Sequence, residues 1–412
     1  MAVHLVPNTP LPLLGLAVLA IVTGGVAHAS AQGLPTEPIS IANGTVVLGG
    51  EVVGTIGSED PGYFNYTDYE YSALRNFRMG LTAEVRANAH VQVLTEIRLD
   101  QGHVFQPYGL YVRVRPWAAR RFDIQVGRIP PTFGAMARAA YGSGNILIGQ
   151  PLAYQYLMSI RSTAIPANAN DLLRMRGRGW LSSFPVGDRT PAAGLPIVNT
   201  SRWDTGVQVH GLRGIFEWTA AVTTGSLSDP RVQDNNHGRQ LAGRLVGRPT
   251  AGVVLGASAA RGAWLDASVD ASLPQGQSTG QARQAAVGGD AEYSAGAFLV
   301  RGEVIRSTWT LPLVEAPTIA LPLVTRSMLI EGRYKILPGV YAALRGERLD
   351  FSTITGTTRT AGWDADTWRV EAGVGWSVIR NIQVKGAWQH NERNGGRVHV
   401  DSLVTAQVLY WF

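Results

Sequence analysis

From Thr45 to the C-terminus, apolar and polar residues alternate with a period of two in segments of about ten residues, and helical periodicity is nearly absent. In Phe77-Arg78-Met79-Gly80-Leu81-Thr82-Ala83-Glu84-Val85-Arg86 the apolar side chains hold one parity and the polar ones the other. A slip of one residue would carry Arg78, Glu84 and Arg86 onto the apolar face, so the pattern pins the register. Segments of this kind suit strands that cross a bilayer between lipid on one side and a polar lumen on the other.

The alternation predicts sixteen strands, at 45–57, 73–87, 90–100, 107–116, 121–130, 203–212, 214–224, 238–247, 250–260, 285–294, 296–306, 326–336, 338–350, 366–378, 380–392 and 401–412. Tight turns fall near Asn88-Ala89, Arg213-Gly214, Pro249, Ala295, Pro338-Gly339 and Ile379-Arg380, with a slightly longer one at Trp117 to Arg120. Every other connection is longer. Short turns on one side and long loops on the other, with an even strand count, predict a transmembrane antiparallel up-and-down β-barrel with both ends periplasmic. The third long connection, 131–202, is rich in Gly and Pro and has short helical stretches at Ala135 to Tyr141 and Asn170 to Arg176. A structureless loop of that size would be anomalous, so this one is expected to fold into the barrel. The alternatives are a surface domain or further strands within 145–160.

Composition narrows the class. Charged residues are 16% of the chain, below the roughly 25% of soluble domains. There is no cysteine, which suits passage through an oxidising periplasm. The net charge is +6, and only Lys335 and Lys385 are lysines. The arginines are dispersed, with one dense run at Arg174, Arg176 and Arg178, so the basic balance does not point to nucleic acid.

The N-terminus reads as an address. Leu11 to Val26 form an apolar run of leader length, and Ala27-His28-Ala29 or Ala29-Ser30-Ala31 supplies a small-x-small cleavage pattern. The expected layout is a cleaved signal peptide at 1–31, a periplasmic lead-in at 32–44 and an outer-membrane barrel at 45–412. The segment before the apolar run lacks Lys and Arg, which leaves an uncleaved anchor as the other reading. No other stretch approaches the ~18 apolar residues of a membrane helix.

The last strand, Asp401 to Phe412, puts Val404, Ala406, Val408, Tyr410 and Phe412 on one face. A terminal Phe with an aromatic two residues earlier resembles the signal by which the barrel-assembly machinery recognises its clients, carried here by Val408, Tyr410 and Phe412. The layout of the whole chain resembles the sixteen-stranded bacterial porins. Gln125-Val126-Gly127-Arg128-Ile129-Pro130-Pro131-Thr132-Phe133-Gly134 resembles the strand-to-loop segment of phosphate-selective porins, which usually carry a lysine-rich anion path, whereas this chain has two lysines. The resemblance therefore implies a pore class and no particular solute. It implies a bacterial outer-membrane location among lipid and lipopolysaccharide, a homotrimer, and no cofactor. Aromatics near strand ends, Tyr108, Trp117, Trp203, Tyr293, Trp368, Trp376, Trp388 and Tyr410, are expected to form interfacial girdles.

With the apolar parity toward lipid, the opposite parity lines the lumen. It collects Arg78, Arg86, Arg98, Arg113, Arg115, Arg244, Arg301, Arg333, Lys335, Arg345, Arg369 and Lys385. Interleaved are Glu84, Glu96, Asp290, Glu292, Glu303, Glu331, Glu347 and Glu371. Two readings follow. The cations form a ladder that favours anions, or Arg–Glu pairs brace the wall. Surplus positive charge favours a weak anion preference. The run Arg174 to Arg178 could meet lipopolysaccharide phosphates or overhang the constriction, and Asp60, Asp68, Glu70, Asp171 and Asp188 could oppose the basic wall.

Catalytic motifs are missing. There is no His-Glu-x-x-His, no G-x-S-x-G elbow and no P-loop, the eight histidines are scattered, and Gly373-Val374-Gly375 lies inside a strand. The expectation is a non-enzymatic channel for small hydrophilic solutes and ions. The alternatives are a plugged structural or adhesive barrel and, further off, a barrel hydrolase. Sixteen strands leave a water-filled interior that a plug must actively fill, which favours transport.

Overall fold

The computed structural model describes residues 34–66, 72–100, 105–117, 121–139 and 142–412. The expected leader at 1–31, the acids Asp68 and Glu70, most of the turn after Trp117 and the end of the helical stretch at Tyr141 lie outside them.

Sixteen antiparallel strands form a closed ring: β1 Val46–Gly57, β2 Phe77–Arg86, β3 Val91–Asp100, β4 Gln106–Val114, β5 Phe122–Ile129, β6 Asp204–Arg213, β7 Phe216–Thr223, β8 Gln240–Thr250, β9 Val253–Ala263, β10 Arg283–Ala295, β11 Phe298–Trp309, β12 Leu323–Leu337, β13 Val340–Phe351, β14 Thr367–Ile379, β15 Ile382–Arg393 and β16 Val400–Trp411. Each pairs with its sequence neighbours, and β16 pairs with β1 from Glu51↔Trp411 to Gly57↔Thr405 to close the ring. A three-residue strand, Ile39–Ile41, folds back on the start of β1. Closure is what a bilayer demands, since an open edge would leave amides and carbonyls unpaired in hydrocarbon.

Every expected strand is present, with ends moved by a few residues. Several turns are displaced. Pro249 lies inside β8 at a register shift between Gly247 and Thr250, where the missing amide costs no ladder bond. The chain reverses after it, at Gly252, in the left-handed region at φ +77°. The reversals expected at Ala295 and Ile379 fall just beyond them, because Ala295 still pairs with Phe298 and Ile379 with Ile382.

Outward parity is apolar and exposed, as at Leu245, Val287, Val304, Ile330, Leu344, Val404 and Val408. A closed barrel with this outer band places the chain in a bacterial outer membrane. Trp117, Tyr293, Trp368, Trp376 and Trp388 are exposed on the outer side. Tyr108 and Trp203 do not join them. A register shift at Glu96/Ile97 leaves Tyr108 as the extra residue of β4 and turns it inward. There it is buried, its hydroxyl donates to the Thr200 carbonyl, and Trp203 packs edge-on at 5.8 Å.

The seam is finished by the terminal residue. The Phe412 amide donates to the Gly50 carbonyl at 2.9 Å and the Gly50 amide to the Phe412 carbonyl at 3.0 Å. A Cβ at position 50 would stand 2.7 and 2.9 Å from Phe412 ring carbons, so glycine is what lets the ring lie over β1. Gly50→Ala should therefore destabilise the folded barrel by about 1–3 kcal/mol, as overpacking does. Most of that loss should disappear in a Phe412→Ala background, read as a double-mutant cycle in urea unfolding of the refolded protein.

Candidate functional site

The connection between β5 and β6 lies against the inward parity of the barrel. It holds a short 3-10 turn at Met136–Arg138 and helices at Leu152–Gln155 and Ala169–Arg174, so both expected helical stretches are present but shorter, and 145–160 carries no strand. Its backbone is fastened by charged side chains of β13, β14 and β15. The Ile148 and Gly149 amides donate to Glu371 Oε1 at 3.1 and 2.8 Å, and the Leu152 amide to Glu347 Oε1 at 2.7 Å. Arg345 donates to the Gly149 carbonyl and to Asn145 Oδ1, each at 2.7 Å. Arg369 donates to the carbonyls of Gln150 and Phe64 at 3.0 Å. Lys385 Nζ reaches the Gly142, Asn145 and Leu147 carbonyls at 2.9, 2.5 and 3.3 Å.

These groups also pair among themselves. Glu331 bridges Arg301 and Arg345, the latter at 2.6 Å, and Arg345 lies 3.5 Å from Glu371. Arg369 is 3.9 Å from Glu347. Arg345, Arg369, Glu371 and Lys385 are all buried. A buried charge persists where it is paired and hydrogen-bonded, and here loop carbonyls and amides supply the missing partners. The row expected to line the lumen is, on this arc, a set of clamps on the loop.

On β11 the loop is held again. The Ala135 amide donates to Glu303 Oε1 and the Tyr154 hydroxyl to Glu303 Oε2, each at 2.7 Å. Burial, then the Glu303 carboxylate beside it, pushes the Tyr154 phenol well above its ordinary pKa, which keeps it a donor. Toward the long connections the loop packs through Phe133, Met136, Leu152 and Tyr154 with Trp309, Leu349 and Trp363 in one apolar cluster.

The other arc is open. A cavity of about 750 Å³ runs between loop residues 130–136 and the walls of β4 to β11. Among its lining charges are Arg113, Arg115, Arg244, Arg248, Arg301 and His210, facing Asp123, Glu217, Asp290, Glu292 and Glu303. Arg244 meets Asp290 at 2.7 Å across the intervening β9, over Gly256, where a Cβ would lie 2.4 Å from the carboxylate. His210 stands between Asp123 at 3.3 Å and Glu217 at 3.2 Å, and Glu217 also takes Arg248 at 2.8 Å.

The remaining expected residues sit as follows. Arg78 pairs with Asp100 at 2.6 Å, Arg86 with Glu84 at 2.6 Å and Arg98 with Glu96 at 2.5 Å. Arg113 is 3.9 Å from Asp123. Arg333 lies over the Tyr341 ring at 5.7 Å, and Lys335 is exposed on the inward parity near the short-turn end. Asp123, His210, Glu217 and Arg248 were not expected. Arg248 continues the parity of Arg244, and a strand end placed before Pro249 cut it off. Arg174 and Arg178 are exposed, whereas Arg176 is buried and donates to Asn394 Oδ1 at 2.7 Å, so the run forms no common patch. Asp60 takes the amides of Phe64 and Asn65, Asp171 pairs with Arg174, and Asp188 with Arg161, so these acids serve the long connections themselves.

Glu371→Leu would leave two loop amides without their buried acceptor and Arg345, still paired with Glu331, without its second carboxylate. We expect a loss of about 3–5 kcal/mol, the usual result of breaking a buried pair from one side. Limited proteolysis should then cut within 142–152 at protease concentrations that leave the parent chain intact.

No protein-family model matches the chain, and no curated protein matches it in sequence. Solved structures do match in fold. OmpF of Salmonella typhi, in complex with daunomycin, is 13% identical over 91% of this chain and 100% of its own, with a TM-score of 0.55. The anion-selective porin from Comamonas acidovorans is 10% identical over 89% and 99%, with a TM-score of 0.53. The trimer form of OmpT, an outer membrane protein of Vibrio cholerae, is 11% identical over 89% and 99%, with a TM-score of 0.51. The fold of this chain is thus that of the bacterial outer-membrane porins.

Proposed function

We propose that the chain is a diffusive porin whose water-filled lane runs between loop residues 130–136 and the β4–β11 wall. The cavity of about 750 Å³ carries this reading, because the loop is clamped to the opposite arc and leaves that space unfilled. Its lining carries charged and polar groups on both sides, which suits small hydrophilic solutes and ions. The phosphate-selective likeness of Gln125 to Gly134 is left without a lysine path behind it, so no solute is assigned.

Selectivity follows the charges that remain after pairing. Most lumen arginines are neutralised by a carboxylate within hydrogen-bonding distance. Arg115, Arg333 and Lys335 face the short-turn mouth with no ion pair, against Glu292 and Glu303 as the cavity carboxylates in the same condition among the described residues, Glu303 being taken up by the Ala135 amide and the Tyr154 hydroxyl. A small surplus of fixed positive charge at one mouth supports weak anion preference. A second reading is a structural barrel plugged by its loop, favoured by the number of clamps on Gly142 to Leu152. Assembly as a homotrimer accords with the trimer form of the Vibrio cholerae protein. Val408, Tyr410 and Phe412 supply the assembly signal, and chemical cross-linking of the refolded barrel tests the trimer.

Single-channel recording in a planar bilayer separates the two readings. Stepwise conductance with a reversal potential directed toward anions is expected in a salt gradient, and a folded barrel without conductance overturns the channel. Arg115→Gln/Arg333→Gln/Lys335→Gln should shift the reversal potential toward cation preference while leaving the unit conductance within about twofold, with the shift shrinking at high salt.

A further inference from the structure

The outer side of the barrel carries a group of charges that the lumen does not explain. β9 to β13 are five neighbouring strands, and each has one arginine on its outward parity toward the long-connection end: Arg261, Arg283, Arg306, Arg326 and Arg348. On the same faces Val304 and Met328 are the next outward residues below Arg306 and Arg326, and Val287 stands beside Arg306 across the ladder; they are exposed by 52%, 48% and 55%. The guanidinium groups therefore stand at the outer edge of the apolar band, where acyl chains end and headgroups begin.

Arg306 is directly opposite Arg326 across the β11–β12 ladder. Like charges in that position repel. Asp350 faces Arg326 from β13, but its carboxylate accepts from Arg348 Nε at 2.7 Å. Arg261, Arg283, Arg306 and Arg326 have no ion pair among the described residues. With strands about 4.8 Å apart, the arc spans roughly 20 Å, more than one phosphate covers. Guanidinium groups bind phosphate through paired donors, and a membrane surface presents phosphates beside acyl chains.

We propose that this arc binds the phosphates of an outer-leaflet lipid, lipopolysaccharide, with its acyl chains against Val287, Val304 and Met328. A free anion would satisfy the guanidinium groups and leave that apolar strip uncovered, which is why the lipid is favoured. The inference rests on the outward orientation of the long connections and is independent of conduction.

Binding of purified lipopolysaccharide to the refolded full-length protein in detergent tests it, with Arg306→Gln/Arg326→Gln as the variant. Both side chains are exposed and unpaired, so the variant should keep the parent's conductance and heat-modifiable gel mobility. Its affinity should fall about tenfold or more. The parent should lose affinity similarly for dephosphorylated lipopolysaccharide, and inorganic phosphate alone should not displace the intact lipid. Equal binding by variant and parent overturns the proposal, as does equal binding of the dephosphorylated lipid. Complete displacement by inorganic phosphate would instead assign a simple anion site and overturn the lipid. If the variant fails to fold, the two lipid measurements on the parent decide alone.

Discussion

The structure depends on closing a sheet in a medium that offers no hydrogen bonds. Sixteen strands satisfy one another around the ring, and the last pair to be satisfied joins the two ends of the barrel. That is why the terminal residue matters. Phe412 contributes an amide and a carbonyl to Gly50 and lays its ring over the glycine. The C-terminal pattern is thus a structural component of the seam as well as a candidate assembly signal.

Closure creates the second constraint, an interior too wide for wall side chains to fill. The β5–β6 connection occupies part of it, and its backbone has to find partners away from water. Glu371, Glu347, Arg345, Arg369 and Lys385 provide them, so charges that could have faced an aqueous pore are instead spent on loop amides and carbonyls. Because the clamps are concentrated on β13 to β15, the loop leans to one side. The lane left along β4 to β11 keeps its own charges, mostly in short-range pairs such as Arg244–Asp290 and Arg248–Glu217.

The strands were legible in the sequence because each crosses between lipid and lumen, and that requirement writes a period of two into every segment. The turns were less so. Pro249 reads as a reversal, yet a bulge lets β8 carry it, and the same misreading hid Arg248. A bulge likewise turned Tyr108 inward and took Trp203 with it, against the girdle expectation. Parity told which side chains face inward, and Arg–carboxylate pairing was visible as alternating sign. Which arginines hold the loop and which face water was not visible, because that division depends on where residues 130–203 lie, and the loop's text has no period to announce it. The outward arginines of β9 to β13 were in plain sight on the apolar parity, but only the ladder register shows Arg306 facing Arg326.

The central claim is that the loop covers one arc of the lumen and leaves the other open to water. The chain has no cysteine, so single thiols can be placed without background. Thr219→Cys lies on the cavity wall, and Ala343→Cys lies under the loop beside Leu147. Labelling by a charged, water-soluble thiosulfonate during single-channel recording should reduce the conductance of Thr219→Cys and leave Ala343→Cys unmodified. Equal reaction at both positions, or reaction at position 343 alone, would contradict the account.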